Sequence, residues 1–210
     1  LQMGISGLLL NLKGVTQSVH VKEYAGKRVA VDTYVWLHKG SYSCATEICQ
    51  GIPTDKYVEY CMFRVNMLKY WGAIPVLVFD GAALPAKKTT EASRYKSRVE
   101  HQRQGMEKLQ QNKSKEAREH FNKAVEISPD VAYRLIDRLR KENVEFIVAP
   151  YEADAQLAFL SINDLVDVVI TEDSDLLVYG CKRVLFKMDK SGQGEEISLD
   201  RLGACNTPIN

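Results

Sequence analysis

The chain has 210 residues, 45% of them apolar, which is enough to bury one core. Its 28 Lys and Arg balance 27 Asp and Glu, so total charge argues neither for nor against nucleic acid, and the distribution of charge has to decide. Five cysteines without a C-x-x-C pair and four scattered histidines make a disulfide framework and a zinc site unexpected, and suit reduced thiols in an intracellular compartment. No apolar run approaches the roughly 18 residues of a membrane helix, and no signal peptide is visible.

In chain order, Arg28 to Val31 is the first short apolar run and predicts a strand. Thr54 and Asp55 then cap a helix reaching Trp71, with Val58, Cys61, Met62, Val65 and Leu68 at helical spacing. Pro75 to Phe79 predicts a second strand. Residues 87 to 118 hold ten Lys and Arg against four Glu with little apolar patterning. That stretch reads either as a helical excursion that handles phosphates or as a charged surface helix. Glu116 to Pro129 resembles half of a tetratricopeptide repeat, but a solenoid needs several copies, so it reads as part of two helices. Ser128-Pro129 opens a helix carrying Val131, Leu135, Ile136 and Leu139. Strands follow at Val144 to Val148, Val166 to Ile170 and Val184 to Phe186, and the turn Ser191 to Gly194 joins two late strands. Val- and Ile-rich runs without alternation are the mark of strands covered on both faces, so the fold class is α/β with a parallel sheet flanked by helices.

The acids carry the chemistry. VAVD ends in Asp32, and VLVFDG carries Asp80. Glu152 and Asp154 follow the third strand, and Asp173 and Asp175 follow the fourth. In a parallel α/β sheet the C-terminal strand ends share one edge, where ligands bind. A single acid after a strand is usually a cap or turn former, but four strand ends all supplying acids make a metal site the better reading. Clustered like charges need a cation, and oxygen-only ligands suit Mg2+ or Mn2+. Two such ions about 4 Å apart serve phosphodiester hydrolysis. No Ser-His-Asp or Cys-His grouping and no phosphate-binding P-loop competes.

Five ordered motifs resemble the flap endonuclease and Rad2-like superfamily of 5′ nucleases. They are MGISGL at Met3, AVDTYVWLHKG at Ala30, VLVFDG at Val76, VAPYEADAQLAFL at Val148 and ITEDSDLLVYGC at Ile170. EADAQL, TEDSDLL and FKMDKSGQGEE fit its exonuclease branch better than its flap endonuclease branch. The resemblance implies a PIN-like parallel sheet with a helical gateway insertion, filling a 5′ nuclease domain over residues 3–205, with 206–210 as a divergent tail. It implies 5′ to 3′ exonuclease and 5′-flap endonuclease activity on DNA with 5′ ends, nicks or flaps, in nuclear mismatch repair and end resection. Two Mg2+ ions, replaceable by Mn2+, would be held by Asp32, Asp80, Glu152, Asp154, Asp173 and Asp175. Lys87 and Arg94 would be catalytic. Gly4, Tyr34, His38 and Arg98 would contact DNA, and residues 41–55 would form the wedge between duplexes. The superfamily's seventh metal-binding Asp and its duplex-gripping helices are not found before residue 210. That leaves as alternatives a truncated non-catalytic isoform that binds DNA or a partner, with mismatch-repair proteins binding through regions absent here, and an RNA-directed PIN-type nuclease.

Overall fold

The computed structural model describes residues 4–204. The expected tail at 206–210 and the outer domain limits Met3 and Cys205 lie outside the described residues. The chain divides into two units. The first comprises residues 1–35, 63–81 and 143–210, and the second residues 36–62 and 82–142.

The first unit is built on a seven-stranded sheet. Its strands are β1 (Gln17–His20), β2 (Arg28–Asp32), β3 (Ile74–Phe79), β4 (Glu145–Val148), β5 (Val168–Ile170), β6 (Arg183–Phe186) and β7 (Gln193–Ser198), in the order β1-β7-β6-β5-β2-β3-β4. Strands β6, β5, β2, β3 and β4 run parallel, as the runs of Val and Ile predict. The sheet is mixed rather than wholly parallel, because β7 turns back antiparallel to β6 and β1 pairs antiparallel to β7. The turn at 191–194 makes this reversal possible. The Asp189 carboxylate accepts hydrogen bonds from the backbone of Ser191, Gly192 and Gln193 there.

Val29, Val31, Val76, Leu77, Val78, Val168 and Val169 are fully buried in the middle of the sheet. The helix α8 (Ala153–Ile162) lays Leu157, Ala158 and Leu160 into the same core, with Leu176, Val184 and Phe186. Burying such side chains contributes roughly 1.5–3 kcal/mol each. One expectation fails at β4. The run at 144–148 reads as covered on both faces, but β4 is an edge strand and Val148 is half exposed. An apolar run reports side-chain preference and does not report strand order.

The second unit is helical. Its elements are α3 (Ala45–Cys49), α5 (Lys88–Gln110), α6 (Ser114–Ala124) and α7 (Pro129–Lys141). The helices α2 (Thr33–Ser41) and α4 (Lys56–Tyr70) run from one unit's residues into the other's, and a single turn, α1 (Leu8–Asn11), belongs to the first unit. Thr54 accepts from the Lys56 N–H at the start of α4. Ser128 caps α7 by accepting from Val131, with Pro129 in the first turn. The buried face of α7 is Ala132, Leu135, Ile136 and Leu139. The basic stretch at 87–118 becomes the 23-residue α5 and the start of α6, with exposed ion pairs such as Arg103 with Glu100. Among the described residues no helix is long and apolar enough to cross a membrane.

Candidate functional site

The parallel strands bring their C-terminal ends to one edge of the first unit. Asp32 closes β2, and Asp80 follows β3 directly. Glu152 is the N-cap of α8 and Asp154 lies in its first turn. Asp173 follows β5, and Asp175 opens the short helix α9 (Asp175–Val178). All six acids therefore belong to one unit.

Backbone geometry at this edge is tight. Gly81 donates to the Tyr151 carbonyl at 2.6 Å, and a Cβ at Gly81 would stand 1.8 Å from the Ala149 carbonyl oxygen. Only glycine fits there, and its fit presses the Asp80 turn against the turn carrying Glu152. Asp80 accepts from the Ala153 N–H at 2.7 Å, so its charge sits at the positive end of α8. Gly4, with φ +85°, packs against the other side, where a Cβ would meet the Ser174 hydroxyl at 2.2 Å and the Asp173 carboxylate at 2.6 Å.

Two hydroxyl residues brace this edge. Thr171, buried, donates to Asp32 at 2.8 Å and accepts from the Asp173 N–H at 3.0 Å. Ser174, also buried, accepts from the Ile5 N–H at 2.8 Å. The sequence reading overlooked both as site residues. Their signal was their place inside the TEDSD motif, between acids that must be aimed.

The electrostatics record the crowding. Burial, opposed by the Thr171 hydrogen bond and reinforced by Asp80 and Asp173, pushes the Asp32 carboxyl up to about 6. Burial, then Asp32, Asp173, Asp80 and Glu152, pushes Asp154 up to about 7. Five of the six acids thus feel one another. Asp175 adds a buried Oδ1 with no hydrogen-bond partner, while its N–H donates to Asp173 at 2.9 Å. Among the described residues no three His, Cys, Asp or Glu side chains are drawn tightly enough together to enclose an ion. Even so, the donor set fits a hard divalent cation. It is all oxygen, it is short of positive charge, and it includes an orphaned buried carboxylate oxygen.

Tyr34 lies in the first turn of α2, half buried, with its phenol pushed up by burial and by Asp80. His38, Lys87, Arg94 and Arg98 belong to the second unit. Burial, then the charge of Arg98, pushes the His38 imidazole down, which favours a neutral ring. Lys87 is exposed at the N-cap of α5. Arg94 is exposed and pairs with Glu91 at 2.9 Å. Arg98 is more enclosed, pairs with Glu126 at 2.9 Å, and keeps a buried Nε without a partner. The expected wedge segment, 41–55, contains α3, tied to α5 by a hydrogen bond from Gln102 to the Cys49 carbonyl.

The XPG N-terminal domain matches residues 3–101 and the XPG I-region matches residues 143–206, together more than half of the chain. Exonuclease 1 of Xenopus laevis is 52% identical over 205 residues, covering 98% of this chain. The chain spans 28% of that relative's length. Among solved structures, the catalytic core of Rad2 in complex with DNA substrate superimposes with a TM-score of 0.67 at 22% identity, over 96% of this chain and 57% of that one. The Holliday junction-resolving enzyme GEN1, with product DNA and Mg2+, gives 0.60 at 18% identity, over 98% of this chain and 42% of that one. At those identities the likeness is one of fold, the PIN-like nuclease fold.

Proposed function

This chain belongs to the XPG family, and from that membership and its carboxylate cluster we propose that it is a metal-dependent nuclease. Its substrate is DNA with 5′ ends, nicks or 5′ flaps, and its setting is nuclear DNA repair, including mismatch repair and end resection. The observation that carries this reading is the gathering of acids from four strand ends, with Asp32 and Asp154 held well above the usual carboxylate range. Such a cluster is costly to a fold that uses it for nothing. The known activity of the relative belongs to a chain more than three times as long, and the Mg2+ belongs to GEN1; both enter here as support by analogy.

Asp32, Asp80, Glu152, Asp154, Asp173 and Asp175 hold two Mg2+ ions, with Mn2+ able to replace them. When bound, these ions supply Lewis acidity toward the phosphodiester and neutralise the cluster. The remaining roles fall to the chain's own residues. Thr171 and the N-terminus of α8 aim Asp32 and Asp80. Lys87 and Arg94 bind the scissile phosphate and offset its developing charge. Tyr34 and His38 stack against the end of the DNA, a contact that tolerates any base. Arg98 contacts the phosphate backbone after its pair with Glu126 opens. Gly4 lets the strand approach the acids without a side chain in the way.

The test is cleavage of a 5′-flap duplex by this chain with Mg2+, then with EDTA, beside Asp175→Ala. Cutting that needs Mg2+ and disappears in the variant supports the reading, and metal-independent cutting sinks it. A second reading is binding of DNA or a partner without turnover. It is motivated by the 28% of its Xenopus laevis relative's length that the chain spans. Tight binding of the flap duplex by a folded sample that never cuts it decides for that second reading.

A further inference from the structure

The helices α5 and α6 of the second unit approach unusually closely at one point. A Cβ at Gly105 would stand 2.6 Å from the Phe121 ring, so the ring lies directly on the α5 backbone. Phe121 is fully buried, and its carbonyl accepts from the Cys49 thiol at 3.7 Å, which fixes α6 against α3 as well. His101 lies one turn before Gly105, and His120 directly precedes Phe121. The tight crossing therefore brings the two imidazoles together, their planes tilted by 42°. Their Nδ1 atoms stand 3.3 Å apart, with ring centroids 5.6 Å apart, in a half-buried position.

That separation has a chemical meaning. Two nitrogens bound at 2.0–2.1 Å to one tetrahedral ion lie about 3.3–3.4 Å from each other. Square-planar or octahedral sites bring neighbouring nitrogens to about 2.8–3.0 Å, a poorer match. The pair makes a hydrogen bond while one Nδ1 carries a proton, but with both rings protonated at Nε2 two lone pairs oppose each other. A cation resolves that opposition. Glu116 lies one turn before His120 on α6, and Glu100 directly precedes His101 on α5. Lys108 pairs with Glu116 at 2.6 Å and Arg103 pairs with Glu100 at 2.7 Å, so both carboxylates are taken and the two imidazoles have only each other as partners among the described residues.

We propose that His101 and His120 form a two-imidazole site for Zn2+, with water in the remaining positions, which clamps α5 to α6. This goes beyond the nuclease reading and is independent of the carboxylate cluster, since hard oxygen donors prefer Mg2+ and imidazoles prefer zinc. The histidines are 19 positions apart, so sequence spacing gives no sign of the site.

The experiment is a thermal melt of the whole chain in excess Mg2+, with and without Zn2+, for the unaltered protein, His101→Asn, His120→Asn and the control His20→Asn. Zinc is expected to raise Tm by about 2–4 °C in the unaltered protein and in His20→Asn, and not in the other two. An equal rise in all four, or no rise in the unaltered protein, overturns the proposal. If either variant fails to fold, Co2+ added to the unaltered protein decides. Intense visible absorption of a tetrahedral site, displaced by Zn2+, supports the clamp. Only the weak absorption of six-coordinate cobalt overturns it.

Discussion

The two units hold their charges in opposite ways. In the first unit the charged groups of interest are carboxylates, most of them buried or half buried, and Asp32, Asp80 and Asp173 are aimed by hydrogen bonds from a hydroxyl or backbone amides. In the second they are cations on long side chains, resting in exposed ion pairs such as Arg94 with Glu91. Buried acids are placed before any ligand arrives and cost the fold stability. Exposed cations cost the fold almost nothing and take their working position only with a ligand. If that contrast is right, substitutions in the first unit move stability strongly in both directions, whereas those in the second leave it nearly unchanged.

The largest effect is expected at Gly81. An alanine there drives a methyl into the Ala149 carbonyl, and backbone on both sides has to shift. Gly81→Ala should lose at least about 4 kcal/mol in chemical denaturation, in the range reserved for named steric failures. A loss under about 1 kcal/mol would mean the turn is pliable and the acids are not preset.

Asp32 should show the opposite sign. Its pKa in the folded chain, about 6, lies above its unfolded value of about 3.9. The folded state therefore binds the proton more tightly. Below pH 4 both states are protonated and the group costs nothing. The penalty grows as pH rises from 4 to 6 and is complete above that. Asp154, at about 7, extends the same trend upward. In EDTA the protein should melt higher at pH 5.5 than at pH 7.5. At pH 7.5 Asp32→Asn should gain about 2–3 kcal/mol, at roughly 1.4 kcal/mol per pKa unit, while losing Mg2+-dependent cleavage. Adding Mg2+ at pH 7.5 should stabilise the unaltered chain more than the variant. A variant less stable than the parent in EDTA would contradict the burial argument. Thr171→Val should follow with a loss of about 1–3 kcal/mol, because a buried carboxylate and an amide each lose a partner. Retention of full stability there would show the hydroxyl to be incidental.

How far these features were legible in the sequence follows the same division. The parallel strands were readable because buried runs such as Val29 to Val31 and Val76 to Val78 leave no room for polar alternation. Acids at their ends were readable for the same reason, since a strand end is where a polar residue first becomes tolerable. The strands β1 and β7 were harder. QSVH mixes polar and apolar residues, QGEEIS carries paired acids, and neither has the period of a covered strand. Thr171 and Ser174 drew no attention because hydroxyl residues in a turn usually serve only the turn. In the second unit, charge composition announced the exposure of α5 but said nothing about which cations are enclosed. Arg94 and Arg98 look alike in sequence, yet one is open and the other partly sealed against Glu126.

Arg94 sharpens the contrast most economically. Its guanidinium is mostly exposed and its charged partner among the described residues, Glu91, is three residues away on the same helix face. Such a pair adds little to stability because solvent screens it and ordering both side chains offsets the attraction. Arg94→Gln should therefore shift Tm by less than about 2 °C. If the side chain holds the scissile phosphate, cleavage in Mg2+ should fall by about 10²-fold, on the scale of losing one charged donor to a transition state. Arg94→Lys should recover only part of this, because an ammonium cannot present two parallel donors to a phosphate. A variant that cuts as fast as the parent would return Arg94 to ordinary surface charge, and a large Tm loss would break the distinction between placed acids and loose cations.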